Sequence, residues 1–142
     1  MKYYLTRGKR LDTGEWIYGV LLQKPDGSLY IVMNQKNYAV DPDTVGRYTG
    51  LRDRMNAQIF HDDILHVVIP SGSKDSFDDY DVGYVVLHND KYCLQTVRMS
   101  RPLQPLLDWC DWCRVEIIGN IHDNPEVLQV FRRFEECRLN AS

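Results

Sequence analysis

The sequence has no long apolar run and no strong excess of charge of one sign. No stretch approaches the roughly 20 apolar residues that a membrane-spanning helix requires, and the N-terminal segment contains no secretory signal. We therefore predict a cytoplasmic protein with reduced thiols and no membrane partner. The net charge of the 142 residues is −3, so the strongly basic balance of a dedicated nucleic-acid binder is missing.

The motifs that identify many enzymes are also missing. There is no phosphate-binding glycine loop, no dinucleotide fingerprint, no G-x-S-x-G elbow and no H-E-x-x-H pair. No internal repeat or low-complexity tract is present. With 44% hydrophobic and 26% charged residues, the composition predicts an ordinary globular chain that can bury an apolar core.

Short extended segments separated by turn residues dominate the pattern. Residues 16–23 and 28–33 are rich in β-branched and aromatic residues and flank a Pro-Asp-Gly turn, which predicts a β-hairpin. Strands are predicted again in IFHDDILHVVIP and over residues 82–87, 91–99 and 114–121, whereas DPDTVGRYTGLRDRMNAQ is typical of turns and connections. Tight turns between strands favour antiparallel over parallel pairing.

One helix is predicted, near the C-terminal end of the sequence. Asn124 suits the N-cap and Pro125 the first helical position, and an apolar stripe follows in VLQVFRRF. The helix is predicted over residues 125–138, where it would cover one side or one open end of a small β structure. The strand before it is expected to be buried at Val115, Ile117, Ile118 and Ile121.

Three segments occur in a specific order along the chain. They are RGKRLDTGEWIYG from Arg7, YTGLRDRMNAQIFHDDIL from Tyr48 and VEIIGNIHDNPEVL from Val115. Their pattern of T-G-E-W-x-Y-G, then Y-T-G-L-x-D with I-[FY]-x-x-D-I, then I-G-N-I-x-x-N-P-E, resembles the YopX family of phage and prophage proteins. The family often has glycine at the positions of Asn56 and Asp62. Because Asn and Asp tolerate positive φ better than other non-glycine residues, both turns should be preserved.

The resemblance implies a mainly β fold. A small β-barrel of the Src-homology-3 type is expected over residues 47–142, preceded by a β-hairpin subdomain over residues 1–46. The resemblance also implies a phage or prophage origin, and hence the cytoplasm of the host cell. It supplies no catalytic residue and no cofactor. The loop over residues 71–81 and the DWCDWC segment lie outside the shared pattern.

The DWCDWC segment places Cys110 and Cys113 at the spacing of half a zinc site or of a thiol–disulfide motif. A structural zinc needs two more ligands, and the remaining thiols, Cys93 and Cys137, lie on a predicted strand and on the predicted helix. A redox pair needs a low-pKa thiol, usually at a helix N-terminus, whereas this pair precedes a strand. The favoured interpretation is a tryptophan-rich loop packed on the barrel, and no metal ligand is assigned.

Two acidic segments offer metal or acid–base chemistry. In HDDILH, the alternation of a strand places His61 and His66 on opposite faces and Asp63 on the face of His61, which makes a poor metal site. Asp63 is predicted to bind turn amides where the strand begins. DSFDDYD, residues 75–81, lacks the spacing and glycine of a calcium loop and is predicted to be a solvated acidic loop. No catalytic residue is assigned.

Basic residues form three clusters, with tyrosines close to some of them. Convergence of such side chains would bind backbone phosphates and stacked bases, and Arg47, Arg52 and Arg54 are the candidate nucleic-acid contacts. The full set is Arg7, Lys9 and Arg10; Arg47, Arg52 and Arg54; Arg132, Arg133 and Arg138; and Tyr3, Tyr4 and Tyr48.

The sequence therefore favours a non-catalytic binding module whose partner is another protein or a second copy of itself. The alternative is a nucleic-acid-binding accessory protein that uses the arginine clusters and tyrosines. A metal-dependent enzyme that uses HDDILH or the cysteines ranks third, and no cofactor is predicted.

Overall fold

The protein is built mainly from antiparallel β-strands. A computed structural model describes residues 5–73, 78–98 and 102–140, and the chain divides into two compact units, Met1–Thr49 and Gly50–Ser142. The strands are β1 (Thr6–Lys9), β2 (Trp16–Gln23), β3 (Leu29–Met33), β4 (Lys36–Ala39), β5 (Gly46–Arg52), β6 (Gln58–Phe60), β7 (Asp63–Ile69), β8 (Asp79–His88), β9 (Lys91–Thr96), β10 (Gln104–Pro105) and β11 (Arg114–Asn120). The helices are α1 (Leu106–Trp112) and α2 (Pro125–Asn140), and a 3-10 turn covers Pro42–Thr44. The predicted boundary between residues 46 and 47 lies inside β5, which passes from one unit into the other.

The first unit is a sheet in the order β4-β3-β2-β1, with the first part of β5 beside β1. The predicted hairpin is confirmed as β2 paired with β3. Its turn forms because Asp26 accepts hydrogen bonds from the N–H and hydroxyl of Ser28, and because Gly27 takes a φ of +90°. The whole unit is a larger sheet than the predicted hairpin. Its buried core contains Ile17, Ile31 and Val40.

The second unit contains a five-stranded antiparallel sheet in the order β10-β9-β8-β7-β11, together with a short pairing of β5 with β6. The helices are fixed by apolar side chains: α1 contributes Leu106 and Trp109 to one buried cluster, and α2 contributes Leu128 to another. The described strands form two antiparallel sheets and no closed barrel, so the barrel expected from the family resemblance is not confirmed.

Both edges of the five-stranded sheet are covered or short. At β11, the N–H of Arg54 donates to the carbonyl of Val115 at 2.8 Å, and the carboxylate of Asp53 accepts from the N–H of Ile117 at 3.1 Å. At the other edge, β10 has two residues, one of which is Pro105, a residue without an N–H. In the part of the chain that the structure describes, this sheet therefore offers few backbone groups for pairing with a further strand.

The junction between β11 and α2 is held by two asparagine side chains. Asn120 Oδ1 accepts from the N–H groups of His122 and Asp123 at 3.0 and 2.9 Å. Asn124 directly precedes α2, at the predicted N-cap position, and its Oδ1 accepts from the N–H of Asn120 at 3.3 Å. Gly119 takes a φ of +155°, and a Cβ there would lie 2.5 Å from that same oxygen, so both the backbone and the contact favour glycine.

The predicted C-terminal helix is confirmed and extends two residues beyond the predicted end, as α2. Its Leu128 is buried, whereas Phe134 of the predicted apolar stripe is exposed. No helix in the described part of the chain is both long enough and apolar enough to cross a membrane.

The sequence-based prediction of strands and of their burial is wrong in several places. β5 crosses the segment that was predicted to be turns and connections. Part of the acidic segment is strand, because β8 begins at Asp79 and Asp81 is buried in it, while residues 75–77 lie outside the described residues. Ile118 was expected to be buried but is 38% exposed, because the ladder between β11 and β7 shifts register at this residue.

Candidate binding sites

The DWCDWC segment forms a helix where the sequence predicted a loop. Cys110 lies in the last turn of α1 and Cys113 directly follows its end, while Pro105 precedes the helix, a place where proline is tolerated. Burial raises the pKa of the Cys110 thiol to about 11, and the charges of Asp111 and Asp53 add to the shift. The Cys110 thiol therefore stays protonated near neutral pH, which is unlike a redox-active cysteine.

The other two thiols lie on separate elements. Cys93 is buried on β9 and Cys137 is exposed on α2. Within residues 5–73, 78–98 and 102–140, no three or more His, Cys, Asp or Glu side chains surround a common cation position. In this part of the chain, the half zinc motif is not completed.

A carboxylate between two histidine rings is the group that sequence reasoning missed. Asp62 lies in the turn between β6 and β7 with a φ of +72°, and its two oxygens lie 3.4 Å from His61 Nδ1 and 3.0 Å from His122 Nε2. Burial raises the pKa of the Asp62 carboxyl, but hydrogen bonds and charge from the two rings outweigh burial and hold that pKa below its ordinary value. The three side chains tie the turn to the segment that precedes α2.

Asp63 acts on the backbone, as predicted. Its buried carboxylate accepts from the N–H of Phe60 at 2.7 Å. β7 begins at Asp63, so the face alternation that placed His61 with Asp63 does not apply to the turn residue His61. His66 lies further along β7, where its ring stacks on Tyr80 with a centroid distance of 5.7 Å.

The described acidic residues of DSFDDYD are used inside the fold. Asp79 accepts two hydrogen bonds from the guanidinium of Arg98, at 2.7 and 3.0 Å, and Asp78 accepts one from Arg114 at 3.1 Å. Asp81 accepts from the next backbone N–H at 2.8 Å. These carboxylates therefore accept hydrogen bonds from arginine side chains and from backbone N–H groups.

The candidate nucleic-acid contacts are divided between the units. Arg47 is exposed on the part of β5 that belongs to the first unit, whereas Arg52 and Arg54 belong to the second. Arg52 donates to the carbonyl of Asn56 at 2.8 Å. Neither unit by itself contains all three arginines, and the two N-terminal tyrosines of the hypothesis lie outside the described residues.

The first unit has rings and cations on one face of its sheet. The strand registers place Trp16 and Tyr30 on the same face. Arg7, which is buried, and Lys9 lie 4.6 and 5.4 Å from the centre of the Trp16 ring, and Lys24 lies 4.1 Å from that of Tyr30. Residues 1–49 have seven Lys and Arg against five Asp and Glu, a net charge of +2, whereas residues 50–142 have ten against fifteen, a net charge of −5.

A cleft beside α1, here called the tryptophan cleft, has a volume of about 400 Å³. Trp112 at this cleft is 78% exposed, whereas Trp109 is 5% exposed. The indole N–H of Trp109 is buried and has no hydrogen-bond partner among the described residues. The lining residues are Ile69, Gln104, Asp108, Trp109, Trp112 and Cys113.

A second groove, of about 580 Å³, follows the C-terminal half of α2 and is here called the α2 groove. Three arginines and two glutamates are among its lining residues. Glu135 lies 3.5 Å from Arg98 and accepts from Arg138 at 2.6 Å. Three of its five charged lining residues, Arg98, Glu135 and Arg138, therefore contact one another.

Residues 8–129 match the family model described as YopX protein. The chain belongs to the YopX family. No curated protein is a match. A similar solved structure is the crystal structure of protein EF1440 from Enterococcus faecalis, with 17% identity, a TM-score of 0.51, and coverage of 90% of this chain and 99% of that chain. At this identity, the likeness shows the fold alone.

Three polar residues of the YopX pattern accept hydrogen bonds from the backbone of this protein. Asp53 accepts from three backbone N–H groups, Asp63 from at least one and Asn120 from two. The tryptophans of α1 lie outside the pattern, and the two histidines that contact Asp62 occupy its variable positions. The tryptophan cleft and the histidine pair are therefore features of this YopX protein and not of the shared pattern.

Proposed function

We propose that this YopX protein is a non-catalytic binding module, encoded by a phage or prophage and acting in the host cytoplasm, whose partner is another protein or a second copy of itself. The observation that carries the proposal is the open tryptophan cleft. Tryptophans in pockets are enriched among the residues that dominate protein–protein binding energy, and Trp112 is 78% exposed in this chain. The proposal includes no catalytic residue and no cofactor.

The protein's reactive groups also support a non-catalytic role. Within the described residues, Cys110 is held as a thiol, Asp53 and Asp63 accept backbone N–H groups, and Asp62 contacts two imidazoles. A catalytic acid, base or nucleophile must be able to exchange protons or electrons with a substrate. These side chains instead stabilise turns and strand edges.

Affinity capture and light scattering with α1 variants test the proposal. Trp112→Ala removes the exposed ring from the cleft. Leu107→Ala is the matched control, because Leu107 is 52% exposed on the same helix and does not line the cleft. We expect a captured protein, or a self-associated species, to persist with the control and to be lost with Trp112→Ala. A strict monomer without a partner, or a complex that survives Trp112→Ala, contradicts the proposal.

A nucleic-acid-binding role is the second candidate, and the ring-and-cation face of the first unit favours it. Aromatic rings stack bases while cations neutralise phosphates, and such binding weakens steeply with salt. Arg47, Arg52 and Arg54 are further proposed contacts. Lys24→Gln should weaken binding of a labelled single-stranded oligonucleotide more than Lys36→Gln, because Lys24 lies over the Tyr30 ring. Absence of any binding at low salt eliminates this candidate.

We also propose that the second unit is an open relative of the Src-homology-3-type barrel, with a hairpin-based subdomain before residue 47. The hydrogen bond of Arg54 to Val115 supports this relation, because it brings the chain that follows β5 to the edge strand β11. A crystal structure tests the relation: a continuous ladder around the strands would support it, and an open edge without that contact would contradict it. Independent folding of residues 47–142 tests the boundary.

A further inference from the structure

One residue that lines the tryptophan cleft carries a buried donor that lacks an acceptor among the described residues. Trp109 is 5% exposed, and its Nε1–H has no hydrogen-bond partner among the described residues. A buried donor left without a partner is destabilising, and such groups are uncommon in native proteins. Because this N–H is covered in the folded chain, a ligand in the cleft is bound by the exposed groups of the lining instead, which include the Trp112 ring and the Asp108 carboxylate.

The charge of the cleft favours a cation. Asp108 is the one charged side chain among the six described residues that line the cleft. α1 also carries Asp111 and has no Lys or Arg, and residues 50–142 have a net charge of −5. A phosphate ligand would be repelled here, in contrast to the α2 groove with its paired charges.

The ring of Trp112 selects the type of cation. Among aromatic side chains, Trp binds cations best on its face, and this ring is 78% exposed. A guanidinium is planar, stacks on aromatic faces and forms two parallel hydrogen bonds with a carboxylate, whereas a lysine ammonium is more strongly hydrated. The volume of about 400 Å³ is ample for one such side chain and its backbone.

We infer that the tryptophan cleft binds an arginine side chain on a peptide segment of the protein partner, an inference that rests on the proposed protein-binding function. The guanidinium stacks on Trp112 and pairs with Asp108.

Indole N–H signals in ¹⁵N NMR spectra of the full chain test this inference. The chain has three tryptophans, and Trp16, which lies in the first unit, serves as the internal reference. The probe is a blocked Gly-Arg-Gly peptide, titrated to about 10 mM because a single side chain gives weak affinity. We expect saturable shifts of the Trp112 signal, little change at Trp16, and no saturation with the uncharged citrulline analogue.

Two variants that each remove one negative charge distinguish an effect of the cleft lining from an effect of the overall negative charge of the second unit. Asp108→Asn should weaken binding of the arginine peptide about fivefold, the upper range for an exposed ion pair. Asp111→Asn, on the same helix but outside the lining, should change it by less than about twofold. Equal effects of the two variants would overturn the assignment of Asp108, and saturable binding of the citrulline peptide would overturn the assignment of a cation.

The two proposals fail in distinguishable ways. If a partner is captured through Trp112 but the arginine peptide gives no saturable shift, the arginine inference is wrong and the binding function stands. If the peptide binds but no protein or second copy is ever captured, the proposed function is wrong while the arginine chemistry of the cleft stands.

Discussion

Replacement of Asp53 by alanine should lower the free energy of unfolding by about 2–3 kcal/mol. The carboxylate accepts from the N–H groups of Met55 and Ala57, both at 2.9 Å, and of Ile117 at 3.1 Å. The first two donors lie in an exposed turn, where water can replace the carboxylate. The Ile117 donor is partly buried on β11, so most of the loss comes from leaving it without an acceptor.

Urea unfolding followed by circular dichroism measures this loss, and amide hydrogen exchange locates it. Asp53→Asn should lose less than Asp53→Ala, because an amide oxygen can still accept. Asp111→Ala, an exposed change on α1, should alter stability by less than about 0.5 kcal/mol. A loss below about 0.5 kcal/mol for Asp53→Ala, or an unchanged exchange rate at the Ile117 amide, would refute the argument that this carboxylate secures the sheet edge.

Three further predictions use other parts of the molecule. Leu94 is fully buried, so Leu94→Ala should lower the free energy of unfolding in urea by about 2–5 kcal/mol. Leu107→Ala, at an exposed position, should lower it by less than about 0.5 kcal/mol, and similar losses for the two variants would contradict the assigned core. Because the pKa of Asp62 is lowered in the folded protein, the wild type should be more stable than Asp62→Asn above about pH 4. The difference in stability between the wild type and Asp62→Asn should vanish as the pH falls through the lowered pKa. A stability advantage of the wild type that grows on acidification would contradict the lowered pKa. In iodoacetamide labelling at neutral pH, the exposed Cys137 should react before Cys110, whose pKa is about 11, and the reverse order would contradict the burial of Cys110.

Features that depend on neighbouring residues could be predicted from the sequence. The Pro-Asp-Gly turn and its hairpin formed as expected, and α2 begins at Pro125. Asn56 and Asp62 stand where the YopX family often has glycine, and their φ angles are +66° and +72°, which confirms the prediction that both turns are preserved. In each case, the conformational preference of one or two residues was sufficient.

Features that depend on distant contacts could not be predicted. β1 was missed because it contains the buried polar residues Thr6 and Arg7, so no apolar alternation marks it as a strand. The short helix α1 was missed because two prolines precede it. Its two buried residues, Leu106 and Trp109, span only one helical turn, so the sequence contains no longer apolar stripe. Their common face is evident only from their packing in the buried cluster.

The sequence drew attention to the residues of the candidate sites but not to how those residues lie together in the fold. DWCDWC attracted attention through its cysteines, whereas its tryptophans and Asp108 line the cleft. Asp62 and His122 are 60 positions apart, so no local pattern could join them. The remaining signal was an aspartate at a position where the family often has glycine. Because glycine can also form this turn, an aspartate there suggests that its side chain has a partner outside the turn.

The covered edges of the five-stranded sheet limit the ways in which this protein can assemble. Open strand edges are the usual starting points for strand swapping and fibril growth. Here Asp53 and Arg54 occupy one edge, and the other edge ends at Pro105. Strand pairing between copies at these edges is therefore hindered, whereas exposed side chains such as Trp112 remain accessible. Exposed side chains can be substituted one at a time, so the surface of this unit can change without a change in the sheet beneath it.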